Sequence, residues 1–177
     1  MEFYSKNIQL DQKVIIDILS NCKPNTKLLV FGLGYDSKMW YEYNNKNTYF
    51  VENNDEYIKL NEKSIAADHI IKYNYTTTCA TCMSLSDEQI KKSTIPDSLL
   101  KLAPFDIILI DGPAGCAPHL PGRLIPNYWS TVLCKSGGLI YVDDSSRPIE
   151  KYSIEKFYKN QWKQVFTKRL QCTKIFM

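Results

Sequence analysis

The stretch "FDIILIDGPAGCAPHLPGRL", Phe105 to Leu124, decides how the chain is read. An apolar run stops at Asp111 and opens onto a loop crowded with Gly and Pro that carries His119 and Arg123. A short apolar run bounded by turn residues reads as a buried strand. An acid at the end of such a strand is a plain polar exit in most folds. In a parallel sheet covered on both faces it points into a ligand crevice, because ligands there bind beyond the carboxyl ends of the strands. The reading of Asp111 therefore depends on whether the rest of the chain supplies such a sheet.

The pattern on either side does. "KLLVFGLG" (27–34), "TYFVE" (48–52), "HIIKYNY" (69–75) and "LIYVDD" (139–144) read as four further strands. Helical stretches alternate with them. A leading helix covers about 10–21, and a second, over about 37–45, is capped by Asp36 with Met39, Trp40 and Tyr43 on one face. A third runs from Asn54 or Asp55 to about Ala66. "SDEQ" (86–89) has capping-box form, so a helix follows it and is disturbed by Pro96. Pro126 suits the first turn of a helix that carries Trp129, Val132 and Leu133 and is ended by Ser136-Gly137-Gly138. Pro148 starts a short helix, and "WKQVFTKRLQCTKIFM" (162–177) reads as a closing hairpin. This order predicts an α/β fold: a doubly wound, mostly parallel, seven-stranded sheet with an antiparallel C-terminal hairpin strand. The near-continuous apolar strands suit a sheet covered on both faces. Strand four should lie beside strand one, and strand five beside strand four.

The 177 residues suit one domain, 1–177. A net charge of +3 gives no case for a nucleic-acid or membrane surface. No apolar run approaches the roughly 18 residues of a spanning helix. "MEFYSKNIQL" has no signal-peptide pattern, and the Cys residues lack the spacing of a small secreted domain. Reduced thiols and a cytoplasmic setting are the expectation. Cys79-x-x-Cys82 has half a zinc-site spacing with no second pair nearby, and it is read as a loop coincidence.

The candidate chemistry lies at the predicted strand ends. Gly32 and Gly34 allow close backbone approach, and the helix start over Tyr35, Asp36 and Ser37 offers free N–H groups. A dinucleotide fingerprint wants Gly or Ala where Ser37 stands, which weakens NAD and leaves a nucleoside ligand without pyrophosphate, such as S-adenosyl-L-methionine. Glu52, with Asn53 beside it, ends strand two, where a carboxylate can accept ribose hydroxyls. Asp111 and the pair Asp143-Asp144 end strands four and five, so three carboxylates converge. They would repel unless a divalent cation, Mg²⁺ or Mn²⁺, took them as oxygen ligands. Asp111 or His119 could remove a proton, while Arg123 and Arg147 flank the same mouth, where each could clamp a carboxylate or pair with the acids.

These motifs also carry a resemblance. "LLVFGLGYDSKMW", "YFVENN", "IILIDGPAG…PGRL" and "YVDDSSRPIEKYSIEKF" occur in the order seen in the plant glucuronoxylan 4-O-methyltransferase-like polysaccharide methyltransferases, and together span about 28–157. The resemblance implies a Rossmann-like fold, S-adenosyl-L-methionine as methyl donor and a carbohydrate hydroxyl as acceptor. It places Gly32, Gly34 and Glu52 at the cofactor, with Asp111 and Gly112 facing it. The Asp111 and Asp143-Asp144 strand ends are also similar to those of metal-dependent O-methyltransferases. The plant enzymes carry an N-terminal membrane anchor, which is not expected here. The loop departs from theirs around Cys116 to Leu120, which leaves the acceptor open between glucuronic acid and a deoxysugar such as rhamnose. Three alternatives stand beside this reading: a metal-independent methyltransferase on a protein or small metabolite, a non-catalytic nucleotide-binding module, and an NAD oxidoreductase.

Overall fold

Both faces of every central strand are apolar, and the architecture follows from that. The computed structural model describes residues 8–167 and 171–177. The strands are β1 (Leu28–Phe31), β2 (Thr48–Glu52), β3 (Ile70–Lys72), β4 (Phe105–Ile110), β5 (Cys134–Val142), β6 (Trp162–Thr167) and β7 (Gln171–Phe176). They form one seven-stranded sheet in the order β3-β2-β1-β4-β5-β7-β6. The first five are parallel, and β7 runs antiparallel between β5 and β6. The predicted neighbours, strand four beside one and five beside four, are the observed ones.

Successive residues of a strand face opposite ways, so a two-residue period sorts the core into two layers. Leu29, Phe31, Ile108, Ile110, Ile140 and Val142 form one layer, against Trp129 and Leu133 of α7 (Leu124–Leu133) and Ile154 of α8 (Pro148–Phe157). Leu28, Val30, Ile107, Leu109 and Tyr141 form the other, against Val14, Ile15 and Ile18 of α1 (Gln12–Asn21) and Trp40 of α2 (Ser37–Tyr43). Trp129, one of two fully buried tryptophans among the described residues, donates its indole N–H to the Ser93 carbonyl at 2.9 Å. A buried indole needs such a partner.

Several predicted boundaries shift, each for a local reason. The third helix is α3 (Asp55–Asn61), capped by Asn54 and shorter than expected. Between β3 and β4, one expected helix is three short ones: α4 (Cys79–Cys82), α5 (Asp87–Lys91) and α6 (Asp97–Leu102). The Ser86/Gln89 capping box starts α5 as read, and Pro96 stands at the cap of α6, because it has no N–H to continue a helix. The Cys-x-x-Cys pair lies on α4, whose first amides donate to the Leu120 and Pro118 carbonyls at 2.8 and 3.0 Å. α7 begins two residues before Pro126 and ends at Leu133. Ser136-Gly137-Gly138 lies inside β5 rather than ending the helix. The strand slips register against β4 there, and Gly137 takes φ +74. Glycine makes such a bulge possible. The closing hairpin pairs Trp162 with Phe176 and Thr167 with Gln171, while its tip lies outside the described residues.

Register sets the site. Phe31 lies opposite Val51 and Ile110, and Ile110 opposite Val142. The next residue on each strand is therefore Gly32, Glu52, Asp111 and Asp143, in one row at the carboxyl ends. At that row the chain turns back tightly. A Cβ on Gly112 would stand 2.6 Å from the Gly32 Cα, and Gly32 itself takes φ +109. Replacing Gly112 with Ala forces rigid backbone apart; overpacking of this kind costs about 1–3 kcal/mol or more. Urea unfolding of Gly112→Ala should show that loss, and a stability equal to the parent chain would contradict the packing described.

Candidate active site

The row of strand ends gathers acids around one buried guanidinium. Arg123, at the end of the Gly/Pro loop, is 4% exposed. Its Nε–H donates to the Pro113 carbonyl at 3.2 Å and Nη1 to the Asp143 carbonyl at 3.1 Å. Nη2 lies 3.5 Å from Asp111 Oδ1 and 3.2 Å from Asp144 Oδ2, and Nε lies 3.9 Å from Glu150 Oε1. Arg147 caps the cluster, with Nη2 2.7 Å from the same Asp144 oxygen. Asp144 Oδ1 and Glu150 Oε1 are buried without a hydrogen-bond partner.

Asp111 keeps one third of its side chain open to the crevice. Its carboxyl is nevertheless held well above the usual range, first by desolvation and then by Asp143, Asp36 and Asp144, against the opposing pull of Arg123. Asp143 is raised by desolvation and by Asp144, and a hydrogen bond with Asp111 works the other way. Asp36 is raised by desolvation, opposed by the Trp40 indole N–H it accepts at 2.8 Å. Glu150 is raised by burial, opposed by Arg123.

The sequence candidates therefore divide. Gly32, Asp111, Gly112 and Asp143 meet in the crevice, with the Gly34–Ser37 turn beside them. Gly34 N–H donates to Ser37 Oγ at 2.8 Å, and Tyr35 is 55% exposed. Glu52 is buried, and its carboxylate accepts from the Leu33, Asn53 and Asn54 amides, each at 2.7 Å. Those bonds tie the first and second strand ends together and leave little acceptor capacity for a ribose. Asp144 is turned under Arg123 and Arg147, at φ +54. His119 is exposed on the rim.

A divalent cation fits this donor set poorly. The Arg123 guanidinium already lies between Asp111 and Asp144, and Asp144 serves two arginines. Among the described residues no group of three or more His, Cys, Asp or Glu is arranged to hold a metal ion. Two residues escaped the sequence reading. Glu150 sits in the short helix started by Pro148, where no role was read for it, and Tyr75 presents a buried hydroxyl with no partner near Glu52. The Pro-Gly-Arg triplet has its own packing reason: a Cβ on Gly122 would stand 2.8 Å from Cys82 Sγ, so the loop must pass α4 closely to deliver Arg123.

Removing one partner of a buried charge cluster typically costs about 3–5 kcal/mol. Arg123→Met should lose that much at neutral pH by denaturant unfolding and recover part of it in mild acid, where the carboxyls protonate. A loss below about 1 kcal/mol, the range of an exposed pair, would contradict the guanidinium's role.

Comparison with known proteins gives the geometry a context. Residues 10–97 match the family described as IRX15/IRX15L/GXM. Protein IRX15-LIKE of Arabidopsis thaliana is 28% identical over 83% of this chain and 55% of its own. Glucuronoxylan 4-O-methyltransferase 2 of the same plant is 28% identical over 78% of this chain and 54% of its own. The chain thus spans about half the length of the curated relatives it matches. Among solved structures, a methyltransferase from Pyrococcus furiosus superposes with a TM-score of 0.59 at 13% identity, over 98% of this chain and 85% of that one. MycE methyltransferase of the mycinamycin pathway, solved with Mg and SAH, gives 0.55 at 12% identity, over 93% of this chain and 44% of that one. The fold is that of the Rossmann-like methyltransferases, and the chain is similar to the IRX15/IRX15L/GXM family and to the glucuronoxylan 4-O-methyltransferases.

Proposed function

We propose that the chain is an S-adenosyl-L-methionine-dependent O-methyltransferase acting on a sugar hydroxyl of a glycan or polysaccharide. The observation that carries this reading is Asp111: a carboxyl at the end of β4, one third open, raised by desolvation and then by neighbouring carboxyls, and set between the Gly32–Ser37 turn and the Gly/Pro loop. The names of its relatives as glucuronoxylan 4-O-methyltransferases support a carbohydrate acceptor.

The residues present fit the methyl donor. Beyond its desolvation, Asp111 feels the negative charge of Asp143, Asp36 and Asp144, each of which disfavours its ionised form. A cationic ligand relieves that repulsion. Gly32, Gly34, Tyr35, Asp36, Ser37, Glu52, Asn53 and Gly112 are the residues that would hold it, Glu52 chiefly by fixing the turn. When bound, S-adenosyl-L-methionine supplies an electrophilic methyl group on a sulfonium. The chain supplies the rest. Arg123 fixes the Asp111 carboxylate and the loop on which the acceptor rests. Ionised Asp111 takes the proton of the acceptor hydroxyl, and its raised affinity for protons makes it a stronger base than an ordinary carboxylate. His119, on the rim, is the second candidate to carry that proton outward. Proton removal needs no metal in this arrangement, because Arg123 already provides the fixed positive charge.

Transfer of labelled methyl groups onto a glycan panel tests the reading. Asp111→Asn should lower turnover about 10²–10⁴-fold, the usual weight of a general base. Parental turnover should rise with pH through a value above the ordinary carboxylate range and should survive a chelator. Loss of activity on chelation, or an active Asp111→Asn, would contradict the mechanism. The sign for stability is opposite. A carboxyl raised in the fold holds its proton there after the unfolded chain has lost it, so stability falls as pH rises through that window. Asp111→Asn should therefore melt higher than the parent at neutral pH.

A further inference from the structure

Beside the acids lies a cavity of about 430 Å³, between α4, the Gly/Pro loop and the start of α8. Cys79, Met83, Pro118 and Ile149 give it apolar walls, and Arg147 and Glu150 give it polar ones. Glu150 is 1% exposed, and its Oε1 has no hydrogen-bond partner. That oxygen lies 3.2 Å from the point a Cβ on Gly115 would occupy, and Arg147 Nη1 lies 3.9 Å from the same point. Gly115 also lines the cavity, so the missing side chain leaves an acceptor and a donor close together at its wall. A buried acceptor without a partner costs free energy unless a ligand or water completes it. The cavity is one guanidinium away from the reacting acid, since Arg123 contacts Asp111 through Nη2 and Glu150 through Nε.

Charge chooses the occupant. Asp111, Asp143, Asp144 and Glu150 face only Arg123 and Arg147 within this cluster, and both arginines are already paired with Asp144. An anionic group would add a fifth negative charge. A neutral ring brings hydroxyls that donate to Glu150 and accept from Arg147, and its C–H face meets Met83 and Ile149.

We infer that this cavity is the acceptor subsite, and that Glu150 and Arg147 select a neutral sugar residue bearing adjacent hydroxyls over a uronic acid. The inference rests on the proposed sugar methyltransferase activity for its meaning, and its binding arm is independent of that activity. Glu150 and Arg147 are specificity residues in this account, and Asp111 remains the base.

The test pairs two probes, methyl α-rhamnopyranoside and methyl glucopyranosiduronic acid, on the full chain. Amide chemical shifts are followed at Cys79–Met83 and Gly115–Ala117 without cofactor, and KM values are measured with the methyl donor. The neutral glycoside should shift those amides and be favoured by at least about tenfold, as like-charge rejection demands. Glu150→Gln keeps an acceptor oxygen and removes the charge, so it should narrow that preference. Arg147→Gln should weaken the neutral probe. Equal or tighter uronoside binding, shifts confined to another surface, or an unchanged preference in Glu150→Gln would overturn the assignment. If the neutral probe binds at these amides but neither sugar is methylated, the subsite stands and the proposed activity falls.

Discussion

One buried guanidinium holds the candidate site together. Arg123 reaches the loop through the Pro113 carbonyl, the exit of β5 through the Asp143 carbonyl, and acids on three elements through the rest of its fork. Arginine suits this position because its planar donors point several ways at once and it stays charged when buried. Without it, the parallel register would set acids side by side at the strand ends, with Arg147 on Asp144 as the remaining counter-charge in the cluster. The doubly wound sheet creates the crevice, and Arg123 makes the crevice affordable.

Its compensation is incomplete, and the remainder has consequences. Asp111, Asp143 and Glu150 all stay raised despite Arg123. Asp144 is held at φ +54, in a region that costs a non-glycine residue free energy. A fold that tolerates such groups gives up stability for reactivity. The imbalance also sorts ligands by region. On the side of the Gly32–Ser37 turn, surplus carboxyl charge favours a cation. On the side of α4 and α8, an unpartnered carboxylate oxygen beside a guanidinium favours a neutral hydroxyl-bearing ring.

The sheet was legible in the sequence because each of its strands carries a local signal. Ile107 to Ile110 are apolar on both faces, and only a doubly covered strand needs that. The acids at Asp111 and Asp143 followed from the topology alone. The three short helices before β4 were not legible in detail, since Pro96 marks a break without saying how the chain resumes. Gly137 misled for a similar reason: a glycine after a helical pattern serves a helix stop and a strand bulge equally well. The roles of Asp144 and Glu150 were hidden because they depend on Arg123. Its partners lie 12 residues before it, 21 after it and 27 after it in the chain. A charge pair of that separation leaves no periodic trace. Glu52 was found by position, but its engagement with three backbone amides is a property of the closed turn.

In the proposed mechanism the strand-end acids form a crevice for a cationic methyl donor. Calorimetric titration with S-adenosyl-L-methionine and its neutral-sulfur product, S-adenosylhomocysteine, run at mildly acidic pH in two buffers of different ionisation enthalpy, tests this. Both should bind once per chain, and the sulfonium form should release more protons, because its charge displaces protons from Asp36, Asp111 and Asp143. Absence of binding by either ligand, or binding of both with equal proton release, would contradict it.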